Sequence, residues 1–289
     1  MPELPEVEVV KRSLESLICN LTIKDIKINE VNLRYKVKKL QINQIIGLKI
    51  LKIERRSKYL LFYFSKNLIM LVHLGMTGKF FFINKNQIKK KTSFYYEIKN
   101  KRDNKHNHVI FIFKNKEKLI YNDVRKFGFI KFYKSNNFKQ NSHLQNLGPE
   151  PLEFYFNFKY FKKYIKKRNK IIKNLLMDQK FVSGLGNIYV NEILFCSQIR
   201  PNRRICDLTD IEIKRVLNCT KKILRRAINL GGSSIKNFSN SKGKAGSFQQ
   251  NFCVYGKMGK ECSNTDCNKR IEKIIIGKRS SFFCNNCQK

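Results

Sequence analysis

Hydrophobic positions recur at helical spacing near the start of the chain, where Val7, Val10, Leu14 and Leu17 line one face of residues 3–18. Glu3, Glu6 and Glu8 fall in the first turns, where the helix dipole favours negative charge, so an amphipathic N-terminal helix is predicted. From about residue 21 to 133 the texture changes to short runs of Ile, Leu, Phe, Tyr and Val at 58–64, 68–72, 79–83, 109–113 and 127–133. Asn, Lys and Gly separate these runs, which predicts antiparallel strands in a sandwich or barrel. Residues 84–106, dense in Lys and Asn, read as a mobile loop.

The two prolines of Gly148-Pro149-Glu150-Pro151 interrupt any regular element, which places an interdomain linker at 135–157. Helical periodicity returns over 158–180 and 185–230, with Ile211, Val216, Leu217, Ile223, Leu224 and Ile228 on apolar positions and Leu208-Thr209-Asp210 as a cap. Residues 231–251, rich in Gly, Ser, Lys and Asn, read as a flexible loop. The expected class is therefore α+β with two domains. Residues 1–134 form the β-sandwich with its leading helix, 158–251 a helical region, and 252–289 a cysteine-rich tail.

Charge narrows the partners. The sequence has 60 Lys+Arg against 21 Asp+Glu, a formal net charge of +39. Such a field predicts salt-dependent affinity for nucleic acid. Lys outnumbers Arg by 45 to 15 amid abundant Asn and Ile, so part of the excess is compositional drift on solvated faces. The charge names a partner class, not a mechanism. A hydrophobic content of 42% rules out wholesale disorder. No apolar run approaches the ~18 residues of a membrane span, and the first residues lack the basic flank and apolar stretch of a secretory signal, so a cytoplasmic protein is expected.

Five of the nine cysteines fall in the final 37 residues. Cys262 and Cys267, separated by four residues, precede Cys284 and Cys287, separated by two, a spacing close to that of four thiolates around one tetrahedral zinc. The alternatives are a pair of disulfides, which a reducing cytosol disfavours, or a decayed site. Residues 271–276, a turn at Gly277-Lys278 and residues 280–283 predict a β-hairpin presented by the metal. Four thiolates would leave no open position, so this zinc would be structural. Cys253 lies outside the spacing, and Cys19, Cys196, Cys206 and Cys219 read as buried apolar residues.

Several motifs occur together in order: Pro2-Glu3-Leu4-Pro5-Glu6-Val7-Glu8, Arg55-Arg56-Ser57-Lys58-Tyr59, His73-Leu74-Gly75-Met76-Thr77-Gly78, Asp123-Val124-Arg125-Lys126-Phe127-Gly128, Leu147-Gly148-Pro149-Glu150-Pro151-Leu152, Leu185-Gly186-Asn187-Ile188-Tyr189 and the four-cysteine tail. From residue 2 to 289 the chain resembles the bacterial formamidopyrimidine-DNA glycosylase family, 8-oxoguanine DNA glycosylases with AP lyase activity. The resemblance implies an N-terminal helix and antiparallel β-sandwich, then a helix–two-turn–helix domain with a lesion-recognition loop at 233–250, and a C-terminal zinc-finger hairpin. It further implies damaged double-stranded DNA as partner, one structural zinc, a monomer and a bacterial, nucleoid-associated location.

The chemistry of an N-terminal proline agrees. With Met1 removed, Pro2 carries a secondary α-amine, and such amines titrate near ~7.7–8, leaving a neutral fraction able to act as nucleophile. The bland alternative is that Pro2 only starts the helix. The resemblance assigns Glu3 as proton donor to the sugar ring oxygen, Lys58 to proton donation in β-elimination and Arg279 to δ-elimination, with Glu6 as a supporting carboxylate. Excision requires the nucleotide to leave the stack. Met76, Arg125 and Phe127 resemble the family's void-filling set, for which core packing is the alternative at Met76 and Phe127. Asn187, His73, His106, Arg168 and Lys173 match further DNA-contact positions.

The sequence also departs from the family. The first cysteine pair is spaced by four residues instead of two, Lys126 replaces an arginine, and Asn237 and Lys242 replace acids in the lesion-recognition loop. Two other functions are weighed against the first: an endonuclease VIII-like glycosylase for oxidised pyrimidines, and a catalytically decayed zinc DNA-binding protein. Leu4 and the Arg125/Phe127 arrangement favour the purine-specific enzyme over the former, and retention of Pro2, Glu3, Lys58, Asn187 and Arg279 argues against the latter.

Overall fold

A computed structural model describes residues 2–92, 101–233 and 248–289. The chain divides into two compact units, Met1–Gln145 with Leu230–Ser247, and Asn146–Asn229 with Phe248–Lys289. Of the segment returning to the first unit, only residues 230–233 are described.

The first unit opens with helix α1, Leu4–Ile18. Leu4, Val7, Val10, Leu14 and Ile18 are its buried face, while Leu17 is half-buried and leaves the deepest position to Ile18. A short helix α2 spans Lys39–Asn43. Two antiparallel sheets follow. One has the order β2 (Ile50–Arg56), β3 (Tyr59–Phe64), β4 (Leu68–His73) and β9 (Phe129–Lys134). The other runs β1 (Ile23–Ile28), β7 (Asn107–Phe113), β8 (Lys118–Asp123), β5 (Gly78–Ile83) and β6 (Lys89–Lys91). Alternation sorts the side chains: Leu60, Phe62, Phe64, Met70, Val72, Phe80, Phe82, Phe111, Phe113, Leu119 and Tyr121 turn to one core with the apolar face of α1.

Of the segment read as a mobile loop, residues 93–100 lie outside the described residues. The remainder is not featureless. Lys89–Lys91 pairs with β5, and Lys101–His106 forms a 3₁₀ helix before β7. β1, β2 and β8 lie outside the runs named from the sequence, and in β1 Lys24 and Lys27 alternate with the isoleucines and blur the pattern.

The second unit carries helices α3 (Phe158–Ile165), α4 (Ile172–Met177), α5 (Asn187–Cys196) and α6 (Asp210–Asn229), then the hairpin of β10 (Ile271–Ile276) and β11 (Arg279–Cys284). The periodicity over 158–180 is broken into two helices. Thr209 caps α6 as expected: its hydroxyl accepts from the Glu212 amide at 3.2 Å, and the Glu212 carboxylate accepts from the Thr209 amide at 2.8 Å. Two of the cysteines read as buried thiols are instead joined, Cys196 of α5 to Cys219 of α6, and Cys206 is exposed. No helix among the described residues is long and apolar enough to cross a membrane.

Candidate active site and nucleic-acid interface

Pro2 is buried and lies ahead of α1, whose N-cap is Glu3. The helix-starting role falls to Pro5 in the first turn, so Pro2 is not explained by that role. The Glu3 amide donates to Glu6 Oε2 at 2.8 Å, while Glu6 Oε1 accepts from the Ser233 amide at 2.7 Å and its hydroxyl at 2.9 Å. Glu6 thus ties the residue after Pro2 to the entrance of the segment expected to recognise the lesion. Gly232, at φ +81°, passes so close that a Cβ would meet Glu6 Oε1 at 3.1 Å. Asn237 and Lys242 lie outside the described residues.

Lys58 sits in the two-residue turn between β2 and β3, where Arg56 pairs with Tyr59 and Ser57 adopts φ +56°. It is 8% exposed. Arg55 anchors that turn to α1, donating from Nε to Glu8 Oε2 at 2.8 Å and from Nη1 to the Ser57 carbonyl at 3.0 Å. Burial alone would raise the Glu8 pKa, but the Arg55 and Arg12 guanidinium groups outweigh it and hold the carboxyl below its ordinary value.

The void-filling candidates project from two adjoining tips. Met76 is 41% exposed and Phe127 44%, which removes core packing as their explanation. A Cβ on Gly75 would meet Gly128 N and Phe127 C at 2.5 Å, so only glycine lets these loops touch. Arg125 lies over the Phe127 ring, with its Cζ 4.5 Å from the centroid. Asp123, fully buried, organises both tips: its carboxylate accepts from Thr77 Oγ1 and from the Gly128 amide at 2.8 Å, and its carbonyl bonds His108 Nε2 at 2.7 Å. The motif containing Asp123 was visible in the sequence; its role as a hub was not.

His73 ends β4. The Gly75 amide donates to its Nδ1 at 3.0 Å, so a neutral ring carries its proton on Nε2. Burial, then Lys58, Arg34 and His143, push its pKa from 6.5 down to about 4. His73 is therefore a neutral donor at cellular pH. His106 is half-buried at the end of the 3₁₀ helix.

In the second unit, the turn Gly277-Lys278 has both φ angles positive, which closes a tight hairpin and places exposed Arg279 at the first residue of β11. The hairpin is held by polar bonds. Lys173 of α4 is only 1% exposed and donates to the Ser280 carbonyl at 2.8 Å and to Ser281 Oγ at 2.6 Å. Burial, and then Arg279, bring its pKa down from 10.5 to about 8. Asn187, the first residue of α5, donates to the same carbonyl at 3.0 Å, and its own Oδ1 is buried without a partner. Asn191 Oδ1 accepts from the Phe282 amide at 2.7 Å. Lys173 and Asn187, both expected to meet DNA, are here engaged by the hairpin. Exposed Arg168 instead lies over Tyr164, 4.0 Å from the ring centroid. Sequence reasoning missed Glu192, which is 1% exposed and accepts from the amides of Cys253, Val254 and Tyr255 at 2.8, 3.0 and 2.8 Å.

The four tail cysteines converge, all Sγ atoms lying within 4.8 Å of one another. Cys262 and Cys287 are 3.8 Å apart and Cys267 and Cys284 3.6 Å, close to the edge of a tetrahedron with Zn–S bonds of ~2.3 Å. The longer spacing of the first pair is taken up by a turn in which the Cys267 amide donates to the Asn264 carbonyl at 3.1 Å. This group could hold a metal ion.

The chain matches the sequence profile of the formamidopyrimidine-DNA glycosylase N-terminal domain over residues 1–130 and that of the formamidopyrimidine-DNA glycosylase H2TH domain over residues 147–239. It is 40% identical to the formamidopyrimidine-DNA glycosylase of Rickettsia bellii (strain OSU 85-389), covering 100% of both chains, and 39% identical to that of Rickettsia canadensis (strain McKiel), covering 100% of this chain and 99% of the relative. Among solved structures it is similar to the Lactococcus lactis Fpg bound to DNA with an abasic site, at TM-score 0.83 and 34% identity over 99% of each chain. A complex of the wild-type Lactococcus lactis protein with N7-benzyl-Fapy-dG DNA matches at TM-score 0.84 and 34% identity over 100% of each. Fold and site together define a DNA-repair glycosylase of the kind that also cleaves the strand. The chain belongs to the formamidopyrimidine-DNA glycosylase family.

Proposed function

We propose that this protein excises oxidised purines, 8-oxoguanine and formamidopyrimidines, from duplex DNA through Pro2 and then cleaves the strand by β- and δ-elimination. The observation that carries the reading is the placement of Pro2: buried, outside the helix it precedes, beside a glutamate whose amide is fixed by Glu6. Once Met1 is removed, the neutral secondary amine attacks C1′ as the glycosidic bond breaks, and the electron pair leaves with the base. Glu3 protonates the ring oxygen as the sugar opens. The iminium acidifies C2′–H, whose loss expels the 3′ phosphate; a second elimination expels the 5′ phosphate. Lys58 and Arg279 assist these two steps.

Met76, Arg125 and Phe127 occupy the space the nucleotide leaves, an adaptable thioether, a hydrogen-bonding guanidinium and an aromatic wedge. His73, His106, Arg168, Lys173 and Asn187 serve the DNA interface, Lys173 and Asn187 by holding the hairpin that carries Arg279. Cys262, Cys267, Cys284 and Cys287 hold one zinc, which shapes the hairpin and takes no part in the chemistry. A cytoplasmic location follows from a DNA substrate in a bacterium. The solved Lactococcus lactis complexes contain Fapy-dG and abasic-site DNA, which supports the lesion class.

Borohydride trapping on an 8-oxoguanine:cytosine duplex, beside a thymine-glycol duplex, tests the reading. A covalent adduct on 8-oxoguanine that shifts or vanishes in Pro2→Gly is expected. Trapping confined to thymine glycol would transfer the chain to oxidised pyrimidines, and tight binding without any adduct would leave a decayed binder.

A further inference from the structure

One face of the first unit carries a cluster of rings and cations that the proposed chemistry does not use. Cross-strand pairing sets Tyr59, His73 and Phe129 side by side in the last row of the β3–β4–β9 sheet. His73 stacks on Phe129 with centroids 5.6 Å apart and planes 15° apart. Phe129 passes the stack to His143, 4.8 Å away, and to Tyr35, 5.1 Å away. One row further along β9, Lys131 donates to His143 Nε2 at 2.8 Å and lies 3.8 Å above the Tyr35 ring.

This cluster concentrates positive charge. Burial first, and then Lys131 and Arg34, lower the pKa of His143, and burial, then Lys58 and Arg34, act in the same direction on His73, so the positive charge of the cluster is that of Lys131, Arg34 and Lys58. Arg34 and Tyr35 are exposed, and Lys131 and His143 half-buried. Fixing an ammonium between an imidazole and a ring restricts its rotamers before any ligand arrives, which lowers the entropy cost of binding an anion. Two residues along a strand span ~6.8 Å, the scale that separates neighbouring phosphates on one DNA strand.

We infer that Lys131, with Arg34 and the His143–Tyr35 cradle, forms a second phosphodiester subsite that continues the DNA backbone track beyond His73. The inference rests on DNA as substrate and on His73 facing it. A subsite of this kind reads no sequence and no lesion. It adds affinity equally for damaged and undamaged duplex and enters through counterion release.

The test is the salt dependence of binding, measured on lesion-containing and intact duplexes for the full chain. Lys131→Gln and Arg34→Gln should each lower the slope of log affinity against log salt by about 1 on both duplexes, with the single-turnover rate at saturating DNA retained. Lys131→Arg should restore most of the slope. Lys24→Gln, on the exposed face of β1, should leave it unchanged. Arg34 lies in a loop, so its variant reports even where Lys131→Gln disturbs the ring stack. An unchanged slope in both variants, while His73→Ala, which removes a neutral donor, weakens binding at fixed salt, would overturn the subsite alone. Unchanged slopes in both variants together with unchanged affinity of His73→Ala at fixed salt would overturn the subsite together with the placement of His73 on DNA.

Discussion

In the sandwich unit the candidate side chains Lys58, Met76, Arg125 and Phe127 stand on turns above a deep apolar core, whereas in the helical unit the candidate Arg279 stands on a two-stranded hairpin with little core of its own. The first arrangement needs few tethers. Glu6 joins the start of α1 to Ser233, Glu8 fixes the Lys58 turn through Arg55, Asp123 joins two tips, and the sheets beneath supply the rest of the rigidity. The second replaces apolar burial with a comb of polar contacts from Lys173, Asn187, Asn191 and Glu192, and with four converging thiols. Small modules lack the buried area to offset chain entropy, so they take their stability from metal and hydrogen bonds.

Metal removal should break the comparison most sharply. Chelation should unfold the hairpin, since zinc binding contributes ~10–16 kcal/mol in finger-sized peptides. DNA affinity should fall by at least ~100-fold, about 2.7 kcal/mol, while the sandwich keeps its circular-dichroism signal. Metal-free protein that still binds and cleaves would sink the structural-zinc assignment.

Next in size is Glu192→Ala, which removes the buried acceptor of three amides and should cost ~2–4 kcal/mol in urea denaturation. A loss below ~1 kcal/mol would mean that packing, not the comb, docks the segment before the hairpin.

His73 gives the smaller, pH-dependent test. Its folded pKa, about 4, lies below the ordinary 6.5, so the unfolded chain binds the extra proton first. The stability this ring contributes is fully present above pH 6.5 and is lost as pH falls towards 4. His73→Gln should flatten that part of the stability profile, and an unaltered profile would contradict the neutral-donor assignment.

The smallest stability effect belongs to Arg125→Ala. Its guanidinium is exposed over Phe127, so the change should stay within ~0.5 kcal/mol. Cleavage of an 8-oxoguanine:cytosine duplex should nevertheless fall sharply. An unchanged rate would remove Arg125 from the void-filling set.

Much of the fold was legible because its signals are local. The spacing of Val7, Val10 and Leu14 gave α1, Leu208-Thr209-Asp210 gave the start of α6, and Gly277-Lys278 gave the hairpin turn. Signals diluted by Lys were lost: Ile23, Ile26 and Ile28 alternate with Lys24 and Lys27, and β1 was overlooked. Lys173 was matched to a DNA-contact position, and its burial against Ser280 and Ser281, 107 and 108 residues away, was not legible in chain order.

The sequence by itself determined the family and the reaction class and nominated the residues on which the proposed chemistry draws, since each resides in a contiguous motif or a fixed spacing. Only the tertiary structure decided how those residues are placed. Pro5 rather than Pro2 starts the helix, Met76 and Phe127 project instead of packing, and His73 is neutral with its proton on Nε2. Glu6, Asp123 and Glu192 became organising groups only when folding brought their donors from distant positions. The physical reason is that burial, charge neighbours and hydrogen-bond partners are properties of a place in space, and chain order leaves them open until the core closes.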